Sequence, residues 1–492
     1  MYSRFEYIGL NVVNEKDVSF FYNIPNLIGR PFFNLNDYDM GHRAQSFMPH
    51  DKNDILFFHC VKDASIADKI NKVIEDREIL KNESEEYFKS KLIDFYSDIT
   101  TNKNRLLEIK PSFNFNFIDG ATFEVKNAGT KRYDVKFIDK KTNNILHSGN
   151  IGNNNWIRCN FMYYIDWRIQ LESSDGEVFN YDIDLEGKRV FINFESSALG
   201  DNLSWIPYVE EFRKKHNCKV ICSTFWNKFF EDEYQDIDFV SPGTVVHDLA
   251  AMYRIGWFYD EGNINYTKVP NNFRLQPMQK TCSDILGLEY KEIVPKIKMN
   301  KDVKKERMVS IAIHGTAQTK YWNNPEGWQK LVDHLKSIGY KVILVSKEND
   351  GYMGNSHPTG IEKLPAGDIE GVMDVIQRSE MFIGIGSGLS WLSWALGTKT
   401  VLISGFSYDY TEPSINTIRI KTPQGKCTGC FNTHKLDPGD WNWCPLHKGT
   451  ERHFECSKSI TPEQVIEEIS KHLEKNEYIN NELNPINNEF IF

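Results

Sequence analysis

The stretch that decides the fold runs from 381 to 413: MFIGIGSGLSWLSWALGTKTVLISGFSYDYTEP. Met381 to Ile385 is a short apolar run of the kind that forms a buried strand. Glycines follow at Gly384, Gly386 and Gly388, with hydroxyls at Ser387 and Ser390. Leu389, Leu392 and Leu396 then repeat at i, i+3 and i+7, the spacing of a helix with one buried face. Gly397 is placed to end that helix, and Val401, Leu402 and Ile403 supply the next strand. Strand, glycine turn, helix, strand is a βαβ unit. Its helix N-terminus, with free N–H groups and the positive end of the dipole, suits a phosphate or pyrophosphate. Plain chain reversal in an α/β domain explains the same stretch as well, so the rest of the chain must decide.

Working outward, a second α/β half begins near Met308. Strand VSIAIH leads into the loop GTAQTKYWNN, a helix from Pro325 and the strand KVILVS. An earlier half begins at Lys188, with strand Val190 to Phe194, the turn ESSALGD, a helix carrying Trp205, Val209 and Phe212 on one face, and strand Lys219 to Cys222. The expected fold class is therefore α/β, with two Rossmann-like domains facing a cleft and ligand at the carboxyl ends of the strands. Before them, from about Pro111 to Glu186, segments such as ATFEVK, YDVKFID and WRIQLES alternate at period two between DG, KTNN and SSDG turns. That pattern predicts a small antiparallel β domain.

The expected domains are 1–110, an extension with a helical segment around Ile66, Ile70, Val73 and Ile74 and again around Phe88, Leu92 and Phe95; 111–186, the antiparallel domain; 187–300 and 301–475, the two Rossmann-like domains; and a tail, 476–492. The last helix is expected from Pro462 to Leu473, behind a Thr461/Gln464 capping box.

At 492 residues the chain can bury several cores. A net charge of −10 argues against nucleic acid or an anionic membrane surface as partner. No run approaches a membrane span and the N-terminus lacks the apolar stretch of a signal peptide, so a cytoplasmic protein is expected. Five of nine cysteines are scattered; the other four are Cys427, Cys430, Cys444 and Cys456. A Cys-x2-Cys knuckle with two more cysteines close behind fits one structural metal ion, iron or zinc, in a finger spanning 427–456. Four thiolates leave no open position, so the metal is expected to be structural and not catalytic.

Three loops leave strand ends and point to the cleft. Asp201, in Ser196–Asp201, is either a helix cap or a general base for an acceptor hydroxyl. Thr316, Gln318, Thr319 and Lys320 gather hydroxyls, an amide and one cation suited to a leaving diphosphate. Ser387, Gly388, Leu389 and Ser390 form the glycine turn, and Gly405 and Phe406 lie beyond the next strand, where a base or ribose could rest.

Taken together, Leu199-Gly200-Asp201, Lys320-Tyr321-Trp322 and Gly388-Leu389-Ser390 resemble the ADP-heptose:lipopolysaccharide heptosyltransferases, and with the four cysteines the chain is more similar to their protein-modifying branch, the bacterial autotransporter heptosyltransferases. The resemblance covers roughly 110 to 475 and implies the GT-B fold, an inverting reaction without catalytic metal, and a homo-oligomer. It also implies transfer from ADP-heptose to serine or threonine hydroxyls of an acceptor protein of the bacterial surface. In that frame Asp201 is the base, Lys320 holds the diphosphate, the 388–390 turn presents N–H groups to phosphate, and the four cysteines hold iron. The rival expectations are another nucleotide sugar, a glycan or lipid acceptor, and an inactive sugar-binding scaffold.

Overall fold

The computed structural model describes residues 111–482, apart from residue 366. The expected helical segment in 1–110 and the last ten positions of the tail lie outside the described residues. Seven strands come first: β1 (Ser112–Ile118), β2 (Ala121–Lys126), β3 (Tyr133–Asp139), β4 (Asn144–Ile151), β5 (Asn155–Cys159), β6 (Trp167–Ser173) and β7 (Val178–Asp182). Their alternation sends Tyr133, Val135 and Phe137 inward while Asp134 stays exposed, as a half-buried antiparallel strand demands.

These strands do not form one separate sheet. β3, β4, β6 and β7 make an antiparallel sheet in the order β4-β3-β6-β7. β1, β2 and β5 instead continue the sheet of the first Rossmann-like half, because β1 lies parallel to β11 (Ala251–Ile255), with Phe117 opposite Ala251 and Ile118 opposite Met252. The two sheets share an aromatic seam in which Phe115 stacks on Tyr181 at 4.0 Å. A period-two pattern fixes which residues face inward but not which sheet edge a strand joins, so this division is invisible in the sequence.

The first half runs β8 (Arg189–Phe194), α1 (Leu199–His216), β9 (Lys219–Ser223), α2 (Asn227–Phe230), β10 (Ile237–Val240) and β11, followed by the hairpin β12 (Tyr259–Asp260) and β13 (Asn263–Ile264) and by α3 (Met278–Ile285). Its seven-stranded order is β10-β9-β8-β11-β1-β2-β5. The second half holds β14 (Glu306–Ala312), α4 (Gly327–Ser337), β15 (Lys341–Leu344), β16 (Glu362–Lys363), α5 (Ile369–Arg378), β17 (Ser379–Ile385), α6 (Gly388–Ala395), β18 (Lys399–Ser404) and β19 (Thr417–Lys421). These six strands are all parallel, in the order β16-β15-β14-β17-β18-β19. Helices cover such a sheet on both faces, so its strands read as continuous apolar runs; Val309, Ile311, Ile383 and Val401 are fully buried. The order reverses between β14 and β17, the place where α/β sheets bind ligands.

Past β19 the chain is mostly loop, with the short helices α7 (Cys430–Thr433) and α8 (Glu455–Lys458). The closing helix α9 runs Pro462–Glu482, longer than its capping box and apolar spacing predict. No helix among the described residues is long and apolar enough to cross a membrane.

Candidate active site

At the cleft the N-terminal turns of two helices pack against each other. A Cβ on Gly200, in the first turn of α1, would come within 2.8 Å of the Trp391 ring on α6. A Cβ on Gly388 would come within 3.1 Å of Leu199. A side chain at Gly200 would force the Trp391 ring to shift, and one at Gly388 would crowd Leu199. The approach brings the turn after β8 against the turn after β17.

Asp201 sits in the first turn of α1, but it does not cap the helix. The cap position is Ala198. The buried carboxylate is held from elsewhere: the Ser196 hydroxyl donates to Oδ2 at 2.5 Å and the Trp257 indole N–H donates to the same oxygen at 2.8 Å. Oδ1 has no hydrogen-bond partner among the described residues. Burial raises the carboxyl above the ordinary carboxylate range; the two donors and the charge of Lys320 oppose that rise. The result is a carboxylate with one oxygen fixed and one available, which is what abstraction of a proton requires.

Lys320 closes a short 3-10 turn, Gln318–Lys320, after β14. Its ammonium stands over the Phe406 ring at 5.6 Å. Enclosure pulls it below the usual lysine range, while Asp201 and Glu412 push it back up. No carboxylate lies within ion-pair distance of its Nζ among the described residues. The cation is thus balanced at a distance and open to an anion. Thr319 is buried, Thr316 is exposed, and the Gln318 side-chain amide donates to Asn323 at 3.3 Å.

At the glycine turn Ser387 occupies the cap position of α6 with no side-chain cap bond, and its hydroxyl is buried without a partner among the described residues. The Ser390 hydroxyl donates to Ile385 O at 2.6 Å and its N–H to Ser387 O at 3.1 Å, so Ser390 is engaged within the turn. The first-turn donors of α6 have no side-chain oxygen to satisfy them.

Gly405 lies on the other side of this loop, against the finger. Its carbonyl accepts from Gly429 N at 3.1 Å and from the Thr428 hydroxyl at 3.0 Å, and a Cβ there would meet Cys456 O at 2.8 Å. Phe406 is equally enclosed, packed with Cys430 and Trp443. Neither is open to a base or ribose. The group that does face the β14–β15 edge is His314, buried, with both ring nitrogens unpartnered among the described residues. Its Nδ1 lies 3.8 Å from a Glu348 carboxylate oxygen, and Tyr321, Tyr352 and His357 ring it. Burial presses its pKa down to about 4.

The four cysteines of the finger converge. Cys427 and Cys430 touch, and Cys430 feels the charge of Cys427, Cys444 and Cys456. All are free thiols, and burial pushes Cys430 and Cys456 up to about 12. As the thiols stand, no group of three or more His, Cys, Asp or Glu residues among the described residues is drawn to metal-ligand geometry. The donor set fits a soft or borderline metal: four sulfurs and a loop-rich segment for the metal to organise, with Glu455 the carboxylate whose charge Cys427 feels.

Residues that sequence reasoning missed are Trp257, Glu412, Glu348, Phe431 and Trp441. The nearest to a signal was Trp257, a polar-tipped aromatic two positions past the end of β11; its partner is 56 positions away in the chain.

This pairing of cleft and finger agrees with what the chain is similar to. Residues 268–436 match the profile of glycosyltransferase family 9 (heptosyltransferase). The autotransporter heptosyltransferase Aah of Escherichia coli is 34% identical over 365 residues, covering 70% of this chain and 92% of Aah. The solved structure of the dodecameric iron-containing heptosyltransferase TibC of Escherichia coli, in complex with ADP-D-beta-D-heptose, superposes with a TM-score of 0.66 at 31% identity, covering 73% of this chain and 95% of TibC. A protein named as an inactive autotransporter heptosyltransferase, BimC of Burkholderia thailandensis, is 28% identical over 361 residues, 71% of this chain and 84% of BimC. The chain belongs to the autotransporter heptosyltransferases, and it is a glycosyltransferase of family 9 with a GT-B-like fold.

Proposed function

We propose that this enzyme moves heptose from ADP-heptose to a serine or threonine hydroxyl of an autotransporter-type surface protein, with inversion at the sugar. The observation that carries this reading is the meeting of α1 and α6, which puts Asp201 and Lys320 within each other's field at the mouth of one cleft. Asp201 Oδ1 takes the proton of the acceptor hydroxyl as its oxygen attacks the anomeric carbon. The bond from that carbon to the diphosphate oxygen breaks, and negative charge gathers on ADP. Lys320 and the uncapped first turn of α6, from Ser387 to Leu389, stabilise that charge, with the polar loop Thr316–Thr319 alongside. The nucleoside end lies toward Glu348, just past β15, where a Rossmann acid meets the ribose hydroxyls.

Cys427, Cys430, Cys444 and Cys456 hold one structural metal ion, iron or zinc, whose role is to fix the finger loops. The reaction takes place in the cytoplasm, in a homo-oligomer. Calorimetric titration of the purified protein with ADP-heptose, with metal analysis of the same sample, tests the donor and the finger. Expected are saturable binding and about one metal per chain. Preference for a UDP- or GDP-sugar would sink the heptose assignment. Incubation with ADP-heptose and a purified autotransporter protein should add heptose mass to the polypeptide; a gain on lipid or glycan alone would overturn the protein acceptor.

A further inference from the structure

The finger reaches the acceptor half through an aromatic contact, a hydrogen bond from Asn432 and a cation, Lys435, that stands over the Tyr259 ring at 4.9 Å. Phe431, next to Cys430, meets the Trp257 ring edge-on at 6.3 Å between centroids. Trp205 at 5.4 Å and Phe273 at 5.1 Å enclose the same indole. The contact is anchored, because the buried Asn432 side chain donates to Arg274 O at 2.6 Å and accepts from Tyr408 N at 2.7 Å. Asn432 therefore ties the finger both to the 3-10 turn Phe273–Leu275 and to the loop after β18. The indole held there is the one whose N–H donates to Asp201 Oδ2. On the donor side the finger touches the site again: Phe431 packs on Phe406 at 5.2 Å, beneath Lys320, and Trp441 O accepts from Gln318 N at 3.1 Å.

We propose that Trp257 is a positioning residue for the Asp201 carboxylate, and that the finger holds that indole in place through Phe431. This rests on Asp201 being the base. A carboxylate on a first helical turn can rotate about its Cβ–Cγ bond. Two donors on Oδ2 stop that rotation and leave Oδ1 to the acceptor. The finger thus has a task at the cleft without supplying any group that touches substrate. The charged group whose field reaches the carboxylate is Lys320, whose own ammonium also feels Glu412; Glu195 is turned to Arg254 at 3.6 Å.

Trp257→Phe keeps the ring and removes the N–H. With ADP-heptose as donor and a purified autotransporter protein as acceptor, kcat should fall about tenfold, the effect of one lost hydrogen bond to a charged group. KM for ADP-heptose should stay within about twofold, since nothing touching the donor changes. The acid limb of the kcat profile should move up by about one pH unit, because the charged carboxylate loses a donor. Phe431→Leu leaves the N–H but loosens its support; it should lower kcat by a smaller factor, again with donor KM held. Should Trp257→Phe fail to fold, Phe431→Leu decides alone. Wild-type kcat and an unmoved acid limb in these variants, while Asp201→Asn is inactive, would overturn the positioning role and leave the base intact. Wild-type turnover by Asp201→Asn would remove the base itself, and this inference with it.

Discussion

The two sides of the cleft are built on opposite plans. On the acceptor side Asp201 is buried and gripped by Ser196 and Trp257. On the donor side the Lys320 ammonium stands over an aromatic face, and among the described residues the α6 turn carries an unpartnered Ser387 hydroxyl and no side-chain cap bond. Under the roles proposed for Asp201 and Lys320, the difference follows from what each side must do. A base has to be aimed before a neutral hydroxyl arrives, because the hydroxyl brings little force to aim it. A diphosphate brings its own charges, which satisfy the cation and the N–H groups as it binds. Preorganisation is needed where the ligand is neutral; vacancy is useful where the ligand is charged.

Experiments that break each side should sort by size. Asp201→Asn keeps shape and removes basicity, so kcat should drop by about 10²–10⁴-fold while calorimetry still finds nucleotide bound. Retained turnover in that variant would end the base assignment. Lys320→Ala should act on both sides of the split, weakening ADP binding and lowering kcat by about 10²-fold, and its effect on binding should shrink in high salt. If ADP affinity is unchanged, the diphosphate sits elsewhere.

Gly200→Val tests the meeting of the helices themselves. The new side chain would press on Trp391 and separate the two turns, with a loss of about 1–3 kcal/mol in urea denaturation and of activity beyond it. The smallest effect concerns acid. His216 in the acceptor half and His314 in the donor half are both pressed from 6.5 down to about 4 by burial. The unfolded chain then binds protons that the folded chain refuses. Stability should fall as pH drops below about 6.5 and level off near 4. Replacing His314 with Gln should flatten part of that slope; an unchanged slope would mean that its ring stays solvated.

Much of this was legible in the residues. The apolar run at Met381, the glycine turn and the leucine spacing gave β17, α6 and β18 nearly to their ends, because local periodicity dictates local structure. The first α/β half was equally plain, with Trp205, Val209 and Phe212 all fully buried. Asp201, Lys320 and the finger cysteines stood out by residue type and spacing, and so did the resemblance to the heptosyltransferases.

What no local pattern could supply were contacts between distant segments. That β1 joins β11, so that the antiparallel strands divide between two sheets, depends on which edge is free in the folded chain. That Asp201 is held by Trp257 and not used as a cap depends on a strand end and a helix start meeting in space. Gly405, read from sequence as a place beside a ribose, is filled by the finger instead, because the loop after β18 turns toward Thr428 and Cys456. Sequence by itself determined the elements, the charged groups and the thiols, all of which are properties of short stretches. Tertiary structure decided which group faces which, because hydrogen bonds and buried rings report on positions in space that chain order leaves free.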